Sequence, residues 1–338
     1  MMRYLKLESR EAASYFAAED LIMEDSSCTE PVFMLWQTEP TVMLGCNQVV
    51  RAEVDAQSAK KSNVRLVRRQ SGGGTIFTDP GAFQFTVITP FRQGIDDSRA
   101  LERRYLAEPV VAALSKLGVE AAASGRNDIL AEGRKISGLA QRASRTKLCS
   151  HGSLLYDTNM DVLSSVLRPD EGKLLSKGIR SVKSRVLNVR ELLKARGTDL
   201  STEAFGALFL RQFAESLGGL EELVLSEQQK ERIQEIRRTK YASDEWTFGR
   251  DPAFSLCLSH RFPMGKLQLC YEVAGGKILS LNIRGDFLST RPVDELESGL
   301  KGVPFHANTI RQKLSEFPLN EYLGGITADE FVECMMAG

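Results

Sequence analysis

The chain has 338 residues, 42% hydrophobic and 26% charged, with 44 Lys plus Arg against 44 Asp plus Glu. That length suits two domains, at least one large enough to bury a core without disulfides or metals. The charge balance excludes the broad positive field of a nucleic-acid or membrane-surface binder, so any functional positive charge is local.

The amino terminus carries no apolar secretory segment, and no run approaches the ~18 apolar residues that span a bilayer. A cytoplasmic protein is expected, with neither nucleic acid nor membrane as partner. Cys28, Cys46, Cys149, Cys257, Cys270 and Cys334 form no CxxC pair, which argues against zinc. In a cytosol they are expected as reduced thiols.

In chain order, residues 11–23 predict a first helix with Ala12, Phe16 and Leu21 on one side. Residues 32–36 and 41–44 read as short buried strands. Residues 64–67 lead into Arg68-Arg69-Gln70-Ser71-Gly72-Gly73-Gly74, and Thr75-Ile76-Phe77 leads out. After a turn at Asp79-Pro80-Gly81, residues 82–88 form a strand. Residues 99–117 predict a helix that Pro109 kinks or restarts. Residues 127–130 and 135–140 flank a hairpin turn at Glu132-Gly133. Residues 151–156 form a strand, and 201–217 an amphipathic helix stopped by Gly218.

The polar segment 241–252 holds a domain boundary, giving domains 1–245 and 246–338. In the second, Leu267, Leu269, Tyr271 and Val273 alternate with polar residues up to Gly275-Gly276. Leu279, Leu281 and Ile283 alternate after it. Helical patterns follow near 293–301, 308–317 and 327–336, the last opening on the capping-box spacing of Thr327 and Glu330.

Three glycines between two strands bring backbone close to a ligand and turn N–H groups toward an anion. Arg68 and Arg69 add guanidinium donors suited to phosphate or carboxylate. No Gly-Lys-Ser/Thr follows, so this is no Walker loop. The GxGxxG spacing of a dinucleotide fingerprint is also missing. In the hairpin, Leu130 is expected opposite Lys135 and Asp128 opposite Ser137. Asp128 and Lys135 then project from one face as diagonal neighbours, with small residues at Ser137, Gly138 and Ala140 leaving room for a ligand. His151 is one of three histidines, and no triad can be assembled around it from sequence. Lys173, Lys177, Arg180, Lys183, Arg185 and Arg190 form a basic stretch suited to phosphate or an acidic partner, or simply a solvated face.

Together and in order, five stretches resemble lipoate–protein ligase A. They are Arg68-Arg69-Gln70-Ser71-Gly72-Gly73-Gly74-Thr75-Ile76-Phe77-Thr78-Asp79, Ser124-Gly125-Arg126-Asn127-Asp128, Gly133-Arg134-Lys135-Ile136-Ser137-Gly138, His151-Gly152-Ser153-Leu154-Leu155 and residues 177–186. Residues 246–254 resemble the start of the accessory domain of the bacterial two-domain enzymes. The resemblance implies an α+β fold, with a mixed-sheet biotin/lipoate ligase-like catalytic domain and a smaller α+β C-terminal domain. It implies ATP-dependent activation of lipoate to lipoyl-AMP with release of pyrophosphate, normally with magnesium. The lipoyl group then passes to a lysine of an apo lipoyl domain, in a 2-oxoacid dehydrogenase E2 subunit or the glycine cleavage H protein.

Carried over by motif, Arg69, Lys135 and the backbone at Gly74, Thr75, Ile76 and Phe77 bind ATP. Lys135, Gly73, Gly74, Ser137, Gly138 and His151 are the lipoate side, while Ser71, Asn127 and Asp128 line the pocket. Lys135 is the catalytic residue, an electrostatic clamp between carboxylate and α-phosphate. Asp128 is the candidate magnesium ligand. The chain departs from the family pattern at Thr78, where His is common, and at Cys46, where Arg is frequent. The accessory domain is expected to pack on the catalytic domain and to rearrange once the adenylate has formed. The competing readings are an octanoyl- or lipoyl-transferase of the same fold without ATP activation, a biotin ligase, and a non-catalytic lipoate-binding protein. Some relatives using a thioester donor carry a cysteine before the lysine-bearing strand, and residues 124–128 contain none.

Overall fold

The computed structural model describes residues 1–125, 127–168, 185–248 and 257–336, apart from the side chain of Arg51. The first body contains β1 (Met2–Tyr4), β2 (Val32–Trp36), β3 (Thr41–Leu44), β4 (Arg65–Arg68), β5 (Ile76–Thr78), β6 (Ala82–Pro90), β7 (Ala121–Ser124), β8 (Asp128–Ala131), β9 (Arg134–Ala143), β10 (Lys147–Leu155) and β11 (Leu220–Glu222). Eight of these form one sheet, ordered β11-β1-β2-β6-β10-β9-β8-β7. It is mixed: β1 runs parallel to β11 and β2, and the strands from β2 to β7 pair antiparallel. A second sheet, β4-β3-β5, carries the glycine run between β4 and β5.

Side-chain alternation gives the large sheet two unlike faces. On one face Phe33, Phe85, Ile129, Leu139 and Leu154 pack against Leu106, Val110, Phe205, Phe209 and Phe213 of two long helical segments. On the other face Met34, Trp36, Ile88 and Cys149 receive Phe16 and Ala17 of the helix Ala12–Glu24. Burying each Phe contributes about 1.5–3 kcal/mol, so both helical layers are held mainly by apolar area. Lys147 Nζ donates to the carbonyls of Ile22 and Asp25, each at 2.5 Å, setting an ammonium at the negative end of that helix.

Pro109 lies in the first turn of the α-helix Glu108–Lys116, so it marks the start of that helix as expected, while the helical segment before it is continuous. The segment runs from Ser98 to Lys116 and passes through a π-helical turn at Arg103–Ala107. A wide turn before the proline accommodates its missing N–H and the bulk of its ring.

The second body is an antiparallel sheet of β12 (Cys257–Phe262), β13 (Gly265–Ala274) and β14 (Lys277–Gly285). The helices Asp294–Leu300, Ala307–Leu314 and Ala328–Met336 pack on it through Leu296, Ile310 and Phe331. Thr327 and Glu330 close the expected capping box, with Glu330 N donating to Thr327 Oγ1 at 3.2 Å and Thr327 N to Glu330 Oε2 at 2.8 Å. Two expectations need correcting. A β-bulge between Glu272 and Val273 shifts the hairpin register, so Ile278 is buried and Leu279 is 52% exposed. Cys257 and Cys270 lie directly opposite on β12 and β13 and are joined as a disulfide, so not all six cysteines are free thiols.

The helix Asp244–Phe248 stays with the first body. Trp246 Nε1 donates to the Arg68 carbonyl at 2.8 Å, and the Arg68 guanidinium donates to the Thr247 carbonyl at 2.7 Å. The second body reaches back along residues 285–289. Gly285 N donates to the Asn47 carbonyl at 2.9 Å, and Gly73 N to the Phe287 carbonyl at 3.1 Å. A Cβ at Gly72 would sit 2.9 Å from both the Phe287 carbonyl oxygen and Ser289 Oγ, so the missing side chain is what lets this segment lie on the glycine run.

Candidate active site

Glu132 and Gly133 both have positive φ, 49° and 72°, the backbone of a tight hairpin turn joining β8 to β9. Leu130 pairs with Lys135 as expected. A bulge between Ile129 and Leu130 then places Asp128 opposite Gly138 and Ile129 opposite Ser137. The extra residue re-aims the strand. Asp128, Lys135 and Gly138 share the face that Ala140, His151 and Ser153 continue across β9 and β10, since His151 pairs with Ala140 and Ser153 with Gly138. Ser137 shares the opposite face with its partners Ile129 and Leu154, both in the helix-covered core. The expectation that Ser137 lines the lipoate side is therefore corrected: the bulge turns it into the core.

Lys135 Nζ lies 2.6 Å from Asp128 Oδ1, and both side chains are about one-third exposed. The ammonium reaches over Gly138, where a Cβ would sit 2.7 Å from Nζ and 2.9 Å from Cε. Glycine there keeps the lysine tip in place. A Gly138→Ala variant should fold like the parent, because a flexible side-chain end can move aside. Its turnover should fall roughly ten- to a hundredfold, since about 1 Å of misplacement carries that cost. Pyrophosphate release measured beside a melting curve checks both halves. Asn127 braces the same hairpin: its Nδ2 donates to the Leu139 carbonyl at 2.7 Å, and Leu139 N to the Asn127 carbonyl at 2.8 Å. Val186 bridges Lys135 from the other side, through Lys135 N to the Arg185 carbonyl at 2.9 Å.

The two adjacent arginines do different work. Arg68 is fully buried and donates to the carbonyls of Gly45 at 2.9 Å, Gln48 at 2.6 Å and Thr247. Arg69 turns into the glycine run. Its Nε donates to Ser71 Oγ at 3.0 Å, Nη1 to the Met43 carbonyl at 3.0 Å, and Nη2 to the carbonyls of Gly72 and Gly74, both at 2.8 Å. Burial pushes its guanidinium down to about 10, still charged at neutral pH. Thr75 Oγ1 donates to Gln48 Oε1 at 2.5 Å, tying the exit of the run to the 45–48 loop. Gly73 lies above Ala140, whose Cβ is 3.9 Å from where a Gly73 Cβ would be. The run thus roofs the face that carries Lys135.

Ser71 Oγ is 2.6 Å from His151 Nε2, and His151 Nδ1 is 3.2 Å from Glu19 Oε1, which also accepts from Thr86 Oγ1 at 2.8 Å. Burial pushes the Glu19 carboxyl up, but His151, Arg142 and Thr86 outweigh it and hold the group below the ordinary range. Cys149 lies close by, and burial pushes its thiol well above the ordinary value, which keeps it protonated and unreactive. Thr78 is buried, hydrogen-bonded to Gln84 Nε2 at 2.8 Å and Thr38 Oγ1 at 3.3 Å, and supplies no base.

Sequence reasoning missed the partners beneath the run. Arg142 donates to Gln70 Oε1 and, at 2.7 Å, to Asp20, which also holds Lys240 at 2.7 Å. Their only signal was two acidic residues, Glu19 and Asp20, next to the buried Phe16-Ala17-Ala18 of an otherwise apolar helix. Of the basic stretch, Lys173, Lys177, Arg180 and Lys183 lie outside the described residues. Arg190 is paired with Asp157 at 2.5 Å and Asp199 at 2.8 Å.

An ammonium and a small-residue floor on one sheet face, roofed by a glycine-rich loop from the second sheet, form the constellation the sequence led one to expect. The family model of the lipoyl protein ligase A/B catalytic domain matches residues 11–214, and that of the bacterial lipoate protein ligase C-terminus matches residues 251–335. The chain belongs to the lipoate–protein ligase family. It is 35% identical to the lipoate-protein ligase LplJ of Bacillus subtilis over 320 residues, 94% of each chain. Among solved structures, P. falciparum LipL1 in complex with lipoate has the same fold over 100% of both chains, with TM-score 0.80 and 19% identity. A lipoate-protein ligase A bound with ATP is 26% identical, covering 73% of this chain and 98% of that one, with TM-score 0.62. The family likeness agrees with the α+β fold, the mixed sheet and the smaller C-terminal body, and with an enzyme of the ligase class. Among the described residues no helix is long and apolar enough to cross a membrane.

Proposed function

We propose that this member of the lipoate–protein ligase family activates lipoate with ATP and passes the lipoyl group to a lysine of an apo lipoyl domain. The observation carrying the reading is the single sheet face with Lys135 at one end and His151 at the other. His151 stands one strand over and two residues along from Gly138, about 8 Å by strand geometry, a span that fits a short acyl chain. Between them the floor is Gly138 and Ala140, with Gly73 above. In this reading the lipoate carboxylate meets Lys135 and the ring end meets His151.

The carboxylate oxygen attacks the α-phosphorus of ATP, and pyrophosphate leaves in line. Two anions approach in that step, so a fixed ammonium between them stabilises the charge of the transition state without losing its proton. Asp128 orients Lys135 before substrate arrives. The backbone at Gly74, Thr75, Ile76 and Phe77 holds the nucleotide, and Arg69 shapes the loop that presents it. The carrier's amine then attacks the acyl carbonyl of the adenylate, and AMP leaves.

Magnesium, when bound, neutralises phosphate charge, and it commonly takes one or two carboxylates beside substrate phosphates. Asp128 fits that pattern as a single, partly exposed carboxylate. Among the described residues the one clustered donor set is Glu19, Cys149 and His151, whose sulfur and nitrogen do not suit magnesium. Asp128→Asn should raise the magnesium concentration giving half-maximal rate several-fold; an unchanged requirement would remove Asp128 from that role. The carriers in this reading are lipoyl domains of E2 subunits or the H protein, met in the cytoplasm.

Protein, ATP, magnesium, lipoate and an apo lipoyl domain are mixed, and the domain is weighed by mass spectrometry. A lipoyl mass increase that requires ATP is expected. An increase only with carrier-bound octanoate would replace this reading with a transferase.

A further inference from the structure

A continuous chain of buried hydrogen bonds joins Arg69 to Glu19. Arg69 Nε can only donate, so Ser71 Oγ accepts at 3.0 Å. With the ring neutral, the assignment that leaves no hydrogen unplaced has the Ser71 hydroxyl donating to the His151 Nε2 lone pair at 2.6 Å. In that assignment His151 Nδ1 bears the ring hydrogen and donates a hydrogen bond to Glu19 Oε1 at 3.2 Å. This tautomer is assigned from the network of partners. Ser71 is 1% exposed, Glu19 2% and His151 8%, so water does not substitute for any link. At the other end Arg69 gathers the carbonyls of Gly72 and Gly74, which fixes the path of the run.

We propose that Glu19 is a positioning residue for the glycine-rich nucleotide loop, acting through His151 and Ser71 on Arg69. The inference rests on the ligase reading and extends it to the helix Ala12–Glu24. Without an acceptor at position 19 the imidazole is free to take the other tautomer. Nε2 then bears a hydrogen, Ser71 must accept from both neighbours, and its own hydrogen is left without a partner in a buried site. Ser71 and Arg69 shift, and the carbonyls of Gly72 and Gly74 lose their common donor.

The test is ATP–magnesium binding to the full-length protein, without lipoate, by titration calorimetry. Glu19→Ala should weaken binding tenfold or more. Glu19→Gln should stay within about threefold of the parent, because its carbonyl oxygen still accepts from Nδ1. Ser71→Ala should match Glu19→Ala and Ser71→Thr should recover most of the affinity, a pair that still decides the question should Glu19→Ala not fold. The double variant Glu19→Ala/Ser71→Ala should be no weaker than the worse single, the mark of residues acting in series. ATP affinity within twofold of the parent in both alanine variants, or fully additive losses, overturns the proposal. The ligase reading is checked separately, by lipoate-dependent pyrophosphate release from the parent protein. Its failure there is distinguishable from a failure of the relay alone.

Discussion

Replacing Lys135 by alanine is expected to cut lipoate-dependent pyrophosphate release by about 10²–10³-fold, the cost of removing one preorganised charge from a transition state. The melting temperature should barely move. Lys135 is one-third exposed and its pairing with Asp128 is partly solvated, so the pair adds little to stability. Its backbone bonds to Arg185 and Leu187 survive truncation. Arginine at 135 should not rescue the rate, because the space over Gly138 fits a slender ammonium and not a planar fork. Single-turnover measurement of adenylate formation separates this from a defect in transfer. Substantial pyrophosphate release by Lys135→Ala would move the catalytic charge to another residue.

Arg68→Ala should show the reverse pattern, a loss of about 3–5 kcal/mol in folding stability, because several buried carbonyls lose their donor at once. The side chain is 0% exposed and serves the carbonyls of Gly45, Gln48 and Thr247. Removing it strands these acceptors, each at about 1–3 kcal/mol when left without a donor. Urea unfolding monitored by tryptophan fluorescence measures the loss directly, since Trp246 donates to the Arg68 carbonyl. A change below ~1 kcal/mol would mean that other donors replace the guanidinium.

The sequence alone treats Arg68 and Arg69 alike, as two guanidinium donors before the glycines. Strand alternation sends them to opposite sides, one toward the Thr247 segment and one into the run. The Asp128–Lys135 pairing was legible because Glu132-Gly133 sets the turn and the first ladder pairs follow from it. Ser137 was not, because a one-residue bulge inverts every later side chain and leaves no mark in composition. Cys257 and Cys270 escaped for a similar reason: pairing across neighbouring strands depends on register and not on spacing. The Glu19–His151–Ser71 chain joins three distant stretches, and only packing of the helix Ala12–Glu24 on the sheet brings them together. The sheet, the hairpins and the amphipathic helices came through because their periodicities are local.

The contact of residues 285–289 with Gly72 and Gly73 makes the glycine run a shared border. In the proposed reading the nucleotide uses the same few peptide groups that meet the accessory domain, so each sets the energy at which the other is accommodated. Linkage makes this reciprocal: if nucleotide alters the hold on residues 285–289 by some factor, releasing that segment alters nucleotide affinity by the same factor. Substitutions at Gly72 therefore act on two equilibria at once. A loop whose bareness suggests tolerance to change is the place where this enzyme has the least freedom to drift.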